Sequence, residues 1–441
     1  MNGSAINLKG KTAPRELVTD LYLITLLFVF PLFPGFSGYE HITLAKYVFL
    51  LSATGIYLAA LIVLMLTGID RSPLPRFSAP QWAAIAFLLA VMFSALLSPW
   101  FPDTLLGGKR YGGLMSLAVY VLIFLCASSF TRPKPIHAAA LCTAAALCCA
   151  LAVLQLAGKN PLHLYPNNLR WQDAGIRYSG AYLGTIGNTN LLDAVLCLVI
   201  PCCICILLLS RKWLYAVPLV LSVGIIIAAG GSGAIVSLFA FVIAALLLLP
   251  RKRKARILCA LVAAVLVLGA LGAILFLPVQ SGTLYELLQM LHGNFDDSFG
   301  SSRIRIWREC LALVPERPLL GGGPGTLGQR LDILFSRYVP ETGITLRSYV
   351  DNAHSVYLGY LVNTGILGFA AYLTLLVCCA RRALMLFRSS ALIAAFSLAV
   401  FCGAVHACFG LGLCITEPVF FALLGLCCPF YPISEKEDSP E

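Results

Sequence analysis

Long apolar runs alternate with short polar stretches along most of the chain. The runs lie near 17–34, 44–67, 81–98, 112–129, 135–157, 188–209, 213–229, 231–250, 255–277, 356–379, 391–410 and 415–430. A helix needs roughly 20 mostly apolar residues to cross a bilayer, so each run reads as one crossing. The seventh and eighth are separated only by "GGSG" at 230–233, and the last is short. The pattern predicts an all-α polytopic membrane protein of about 12 transmembrane helices. Lys9, Lys11 and Arg15 precede the first run, and no small-residue cleavage site follows it, so it is expected to stay as a start anchor.

The short loops give an orientation. One alternating set holds Arg71 and Arg76, Arg132 and Lys134, Arg211 and Lys212, "RKRKAR" at 251–256, and Arg381, Arg382 and Arg388. Lys and Arg collect on the cytoplasmic side, so this set is expected there, with both termini. Three longer polar segments then face outward, at 99–111, 158–187 and 278–355. The expected organisation is an N-terminal bundle of about nine helices over 1–277, an extracytoplasmic loop over 278–355, and C-terminal helices with a short cytoplasmic tail over 356–441.

Composition sharpens this picture. Hydrophobic residues make up 59% of the chain and charged residues 12%, where soluble proteins carry roughly 25% charged. One soluble core is excluded. The net charge of +11 would suit nucleic acid, but most of the excess sits in the short loops, where it orients helices and meets anionic lipid head groups. No nucleic-acid module is recognisable. Seventeen cysteines fall almost entirely inside the apolar runs, where they act as small apolar residues. Exposed His and Cys show no metal-ligand spacing.

The candidate chemistry lies in the outer segments. "SSRIRIWRECLALVPERPLLGGGPGTLGQRL" spans 301–331. Ser301 or Ser302 could cap a helix from about Arg303 to Val314, stopped by Pro315 and Pro318. "GGGPGTLG" then predicts a tight turn leading to a second helix that ends near Val339. No Lys-Ser or Lys-Thr follows the glycines, so a nucleotide loop is rejected. Backbone amides at Gly323 and Gly325 could still help hold an anion. Arg303, Arg305, Arg308, Arg317 and Arg347 are balanced by acidic residues, so they are individual placements. Arginine grips phosphate through a planar fork of donors, and the competing role is pairing with Glu309, Glu316, Glu341 or Asp351. "YVDNAHSVYL" at 349–358 has two readings as well. Asp351 or Asn352 could cap the following helix, or His354 could be a general base, since its ordinary pKa lies near neutrality.

These motifs, in their order, resemble the O-antigen ligase and O-antigen polymerase superfamily of bacterial envelope glycosyltransferases. The most specific part is "SSRIRIW", "RPLLGGGPGTL" and "DNAHSVYLGYLVNTGILGFAAYL" in succession. "RYSGAYLGTIGNTNLLDA", with Arg177 and Asn188, resembles an earlier motif. "GKRYGGLMSLAVY", with Arg110, resembles a weaker one, and "AVHACFG", with His406, a late element. The resemblance implies a glycosyltransferase C-like helical fold in the cytoplasmic membrane of a bacterium, with the site on its outer side. It implies a glycan donor on undecaprenyl diphosphate and a glycan, lipid or protein acceptor. Neither cofactor nor metal is implied. The family's essential arginine falls on Arg303 and its essential histidine on His354, with Asp351 beside it. Arg177, Arg110 and Arg305 would complete the diphosphate site, supported by Asn188, Asn352, Gly323 and Gly325. One departure stands out: where the family often carries Ser-Arg-Gly, this chain reads Ser232-Gly233. A flippase for lipid-linked glycans, or a non-catalytic scaffold of envelope assembly, remains the alternative.

Overall fold

A computed structural model describes residues 13–71, 75–174, 180–339 and 343–430. Lys9, Lys11, Arg177 and Glu341 lie outside the described residues. The helices in chain order begin with α1 (Pro14–Ile24), which runs through a π-turn into α2 (Phe30–Leu32), then α3 (Ile42–Leu66) and α4 (Ala79–Leu96). A short α5 (Asp103–Leu106) precedes α6 (Leu114–Ser129), followed by α7 (Pro135–Leu156), α8 (Thr189–Ser210), α9 (Ala216–Ala229), α10 (Ser232–Leu248) and α11 (Arg253–Phe276). Two smaller helices, α12 (Thr283–Leu291) and α13 (Phe299–Ala312), come before α14 (Val356–Leu386), α15 (Ala391–His406) and α16 (Glu417–Leu426).

All twelve apolar runs are therefore helical, and the protein is mostly helix. Among the described residues, six helices are long and apolar enough to cross a membrane, or seven if the bent pair at 103–129 counts as one. α9, α10, α15 and α16 are shorter apolar helices. The C-terminal helices pack into the N-terminal ones: α14 on α4, α15 on α8, α16 on α6.

Within 278–355 the structure differs from the sequence expectation. No second helix follows the glycine run. A single 3-10 turn at Leu327–Gln329 leads into an antiparallel hairpin of two strands. Those strands pair Leu334 with Tyr349 at one end and Val339 with Ile344 at the other. Phe335, Tyr338, Val339, Ile344 and Thr345 favour extended backbone, and Gly343 adopts φ +67° beside the turn. The helix after the "FGSSR" stretch is present, but Ser301 and Ser302 do not cap it. Gly300, Ser301 and Ser302 are all left-handed (φ 62°, 58° and 64°), so regular helix starts at Arg303.

The glycine run does form a tight turn, and its partner is a break in α14. Gly365 is non-helical (φ 65°, ψ −171°), which interrupts the helical hydrogen bonding. Residues 318–323 lie against the break and take its loose ends. Gly322 N donates to Val362 O (3.1 Å) and Gly323 N to Asn363 O (2.7 Å). Ile366 N donates to Pro318 O (2.8 Å) and Leu367 N to Leu319 O (3.2 Å). From α4, Ser94 Oγ donates to Leu320 O (2.6 Å), and Ser98 Oγ to Gly322 O (2.6 Å). Glycine is required here by space: a Cβ on Gly323 would lie 2.6 Å from Ser98 Oγ, and one on Gly325 would lie 2.3 Å from Gly107 Cα. Irregular backbone at membrane depth survives only where protein satisfies it in this way.

Candidate functional site

The left-handed start of α13 fixes which way its side chains face. Arg303, Ile306 and Cys310 follow an i, i+3, i+7 stripe. Ile306 and Cys310 are buried in a small core with Leu327, Leu331, Ile333, Val350, Ala353 and Val362. That core carries Arg303 inward beside the start of α14. Trp307 Nε1 donates to Ala353 O (3.0 Å) and ties α13 to the same segment. Arg303 Nη1 donates to Gly300 O (3.2 Å), while its Nε is enclosed with no hydrogen-bond partner. Burial lowers the Arg303 pKa, and Glu286 opposes this; arginine remains a cation. Arg308 faces the other way and pairs with Asp297 (2.8 Å) in solvent. Arg305 is exposed.

His354 is the residue on which these elements converge. Neither Asp351 nor Asn352 caps α14. Ser355 does, with Oγ accepting from Leu358 N (3.4 Å). Asn352 Oδ1 instead accepts from His354 N (2.9 Å), holding His354 in a left-handed conformation (φ 49°). Burial first, then the charges of Arg303 and Arg110, push the His354 pKa down to about 4, with Asp351 pulling the other way. The imidazole is therefore neutral at neutral pH.

Asp351 is hydrogen-bonded to Arg110, not to His354: Arg110 Nε donates to Asp351 Oδ2 (2.9 Å). The other expected participants fall as follows. Asn188 caps α8, with Oδ1 accepting from Asn190 N (3.0 Å). The Gly323 amide is committed to Asn363, while Gly325 lines a cavity. His406 ends α15 next to the start of α14, where Val356 N donates to Ala407 O (2.8 Å) and Tyr357 Oη to Ala404 O (2.8 Å). A Cβ on Gly233 would lie 3.9 Å from His406 Nε2. The departure at Gly233 thus removes a side chain from the neighbourhood of His406.

Sequence reasoning missed Arg330. It is half-buried, donates from Nη1 to Val362 O (3.1 Å), and lies 5.6 Å over the Trp100 ring. It clamps the glycine turn to α14: a Cβ on Gly322 would meet Nη1 at 2.2 Å. Nothing in its spacing marks it, since its partners are a backbone carbonyl and a ring more than 200 positions away.

A cavity of about 900 Å³ is lined in part by Asp351, Asn352, Ala353 and Ser355. Its walls come from residues 39–44, 107–112, the hairpin end at 347–349 and the first turns of α14. Arg110 and Asp351 line it; Arg303 and His354 do not. Among the described residues, no group of three or more His, Cys, Asp and Glu is placed to hold a metal ion.

No curated protein matches the chain. The O-antigen ligase family model matches residues 217–373, rather more than a third of its length. The matched stretch runs from α9 through Arg303, the glycine turn and His354 to the break in α14, and over these residues the chain is similar to that family.

Proposed function

We propose that the protein is a membrane glycosyltransferase of the O-antigen ligase type. It transfers or polymerises a glycan carried on undecaprenyl diphosphate at the outer face of the bacterial cytoplasmic membrane. The observation that carries this reading is Arg303, an enclosed cation with an unpartnered Nε, beside a neutral His354. An arginine short of acceptors matches a phosphate, and a neutral imidazole matches an alcohol that must lose its proton.

The reaction then runs in one displacement. Arg303 grips the donor diphosphate, with Arg177 as a second cation from the 158–187 segment. An acceptor hydroxyl attacks the anomeric carbon, and the bond from that carbon to the phosphate oxygen breaks. Its proton passes to His354, and the electron pair leaves on the lipid diphosphate, where arginine stabilises the growing charge. No step is assigned to a metal. A base with a pKa of about 4 is weak, and the donor itself corrects this: its negative charge offsets Arg303 and raises the imidazole pKa. Proton transfer is thereby strengthened only when donor is bound.

The fold reading that goes with it has twelve crossings, cytoplasmic termini and 278–355 outside, as the loop charges suggest. A cysteine at Ser336, exposed on the hairpin, tests it in a cysteine-light background. Labelling by an impermeant maleimide in intact cells is expected; labelling only after lysis would overturn the orientation. The activity test uses purified protein in liposomes with radiolabelled lipid-linked glycan. A transferase lengthens or moves the labelled glycan, a flippase only relocates it, and a scaffold does neither.

A further inference from the structure

Glu286 lies on α12, outside the motifs singled out in the sequence, and it reaches the start of α13. Its Oε2 accepts from Gly300 N (3.0 Å). The carbonyl of the same glycine accepts from Arg303 Nη1 (3.2 Å). Gly300 is thus held at both its polar atoms, by Glu286 on one and by Arg303 on the other. A second contact joins the same two segments: the Tyr285 ring meets Phe299 edge-on, with centroids 6.3 Å apart. The stretch so held is an uncommon one. Gly300, Ser301 and Ser302 are left-handed in succession, and serine persists there only where its surroundings over-determine it. Ser302 N donates to Ser298 O (2.9 Å), and Asp296 Oδ1 accepts from the Ser298 amide (2.8 Å), so the turn carries local support. Glu286 adds the support of another helix. The glycine has a use as well. A Cβ at 300 would lie 3.4 Å from Arg303 Cβ and 3.8 Å from its Cγ and Cδ, so the arginine stem folds back across it. An acid in the first turn of α12 also suits that helix's own dipole. That accounts for a carboxylate at 286 and leaves its bond to Gly300 unexplained. The charge of Glu286 also acts on Arg303, against the burial that disfavours the cation, without an ion pair between them.

We propose that Glu286 is a positioning residue for the transfer: through the Gly300 peptide it fixes where the Arg303 guanidinium stands, and its carboxylate partly offsets that cation while the anionic donor is absent. The proposal rests on the transferase reading for the role of Arg303. Its two parts pull in opposite directions. The hydrogen bond aids turnover by holding the guanidinium in place. The charge opposes donor binding, because a carboxylate near the guanidinium repels a diphosphate.

Two substitutions separate them. Glu286→Gln keeps an oxygen that can accept from Gly300 N and removes the charge. Glu286→Asp keeps the charge and falls one methylene short of the amide. Donor binding is read on the purified full chain with undecaprenyl diphosphate, by microscale thermophoresis at low salt. Transfer is read in liposomes with labelled lipid-linked glycan, and thermal stability is read alongside. Glu286→Gln should bind the lipid diphosphate roughly threefold or more tightly, with kcat within about twofold. Glu286→Asp should lose roughly tenfold or more in kcat without a gain in binding. In the Arg303→Ala background Glu286→Asp should cost nothing further, since it acts through that arginine. Additive losses, or an unchanged kcat in folded Glu286→Asp, overturn the positioning role and leave the transferase reading standing. Where Glu286→Asp does not fold, the binding result for Glu286→Gln decides, and unchanged or weaker binding overturns the proposal. Tighter binding in Glu286→Gln, in a protein whose wild type never transfers label, keeps the link between Glu286 and Arg303 and removes the transferase reading.

Discussion

Arg303 and Arg110 both read as phosphate clamps in the sequence, and the structure gives them different surroundings: Arg110 lines the 900 Å³ cavity and Arg303 does not. Arg110 has found a carboxylate, and the pair is partly exposed. Arg303 has found only the carbonyl of Gly300, and its Nε is shut away from water without a partner. A neutralised pair of this kind fixes the position of its backbone and adds little net field. Arg303 is opposed by the charge of Glu286 without an ion pair to it, and its own charge still lowers the His354 pKa.

The largest effect is expected at His354. His354→Gln keeps a side chain of similar reach that cannot take a proton. Turnover should fall by roughly 10²–10⁴-fold, with donor binding and thermal stability retained; near-normal turnover of the folded variant would remove His354 from the mechanism. Arg303→Ala comes next, with a loss on the order of 10²–10³-fold in kcat, the scale for removing one charge-stabilising group. Arg303→Lys should recover little, because a point charge does not reproduce a bidentate fork. Full rescue by lysine would show that only charge matters there.

Arg110→Gln probes the other arginine through pH. His354 is held below its ordinary pKa of 6.5, so kcat/KM of the wild type should hold down to roughly pH 5 and fall as the imidazole protonates near 4. Removing Arg110 deletes a positive neighbour and frees Asp351, and both changes raise the imidazole pKa. The acid limb should therefore move to higher pH; a limb that stays fixed or moves down would contradict the geometry. Donor binding should have the same sign, so the limb of kcat is expected above that of kcat/KM. The smallest effect belongs to Arg308→Ala. Its partner Asp297 is solvent-exposed, and loss of such a pair is worth at most about 1 kcal/mol of stability, with kcat within about twofold. A loss as severe as that of Arg303→Ala would erase the distinction between the two faces of α13.

The sequence showed much of this and concealed the rest for definable reasons. Helix positions were legible because apolar runs of spanning length have few other uses. Their surroundings were not. α8 and α11 are almost equally hydropathic, yet 78% of the α8 span is buried within the protein and 6% of the α11 span. Lipid and protein core are both apolar, so hydropathy cannot separate them. The Phe299–Ala312 helix and the turn at 321–325 were readable from local chemistry. The hairpin has a local signal too, in the β-branched and aromatic residues on either side of "PETG" at 340–343. Ser355 rather than Asp351 caps α14 because Asp351 is engaged by Arg110, a contact made across 241 positions. The role of Arg330 rests on contacts between distant segments, which no local pattern encodes.

The break at Gly365 imposes an order of assembly. The peptide groups on either side of it find their partners in Gly322, Gly323, Pro318 and Leu319. An α14 newly released into lipid has none of these within its own segment, so its two halves settle only after residues 318–323 return from water and dock against α4. Closure of α14 and docking of residues 318–323 are thus one and the same set of contacts. That docking also brings α13, and Arg303 with it, up to His354. A chain whose loop has not docked has neither a completed α14 nor Arg303 beside His354.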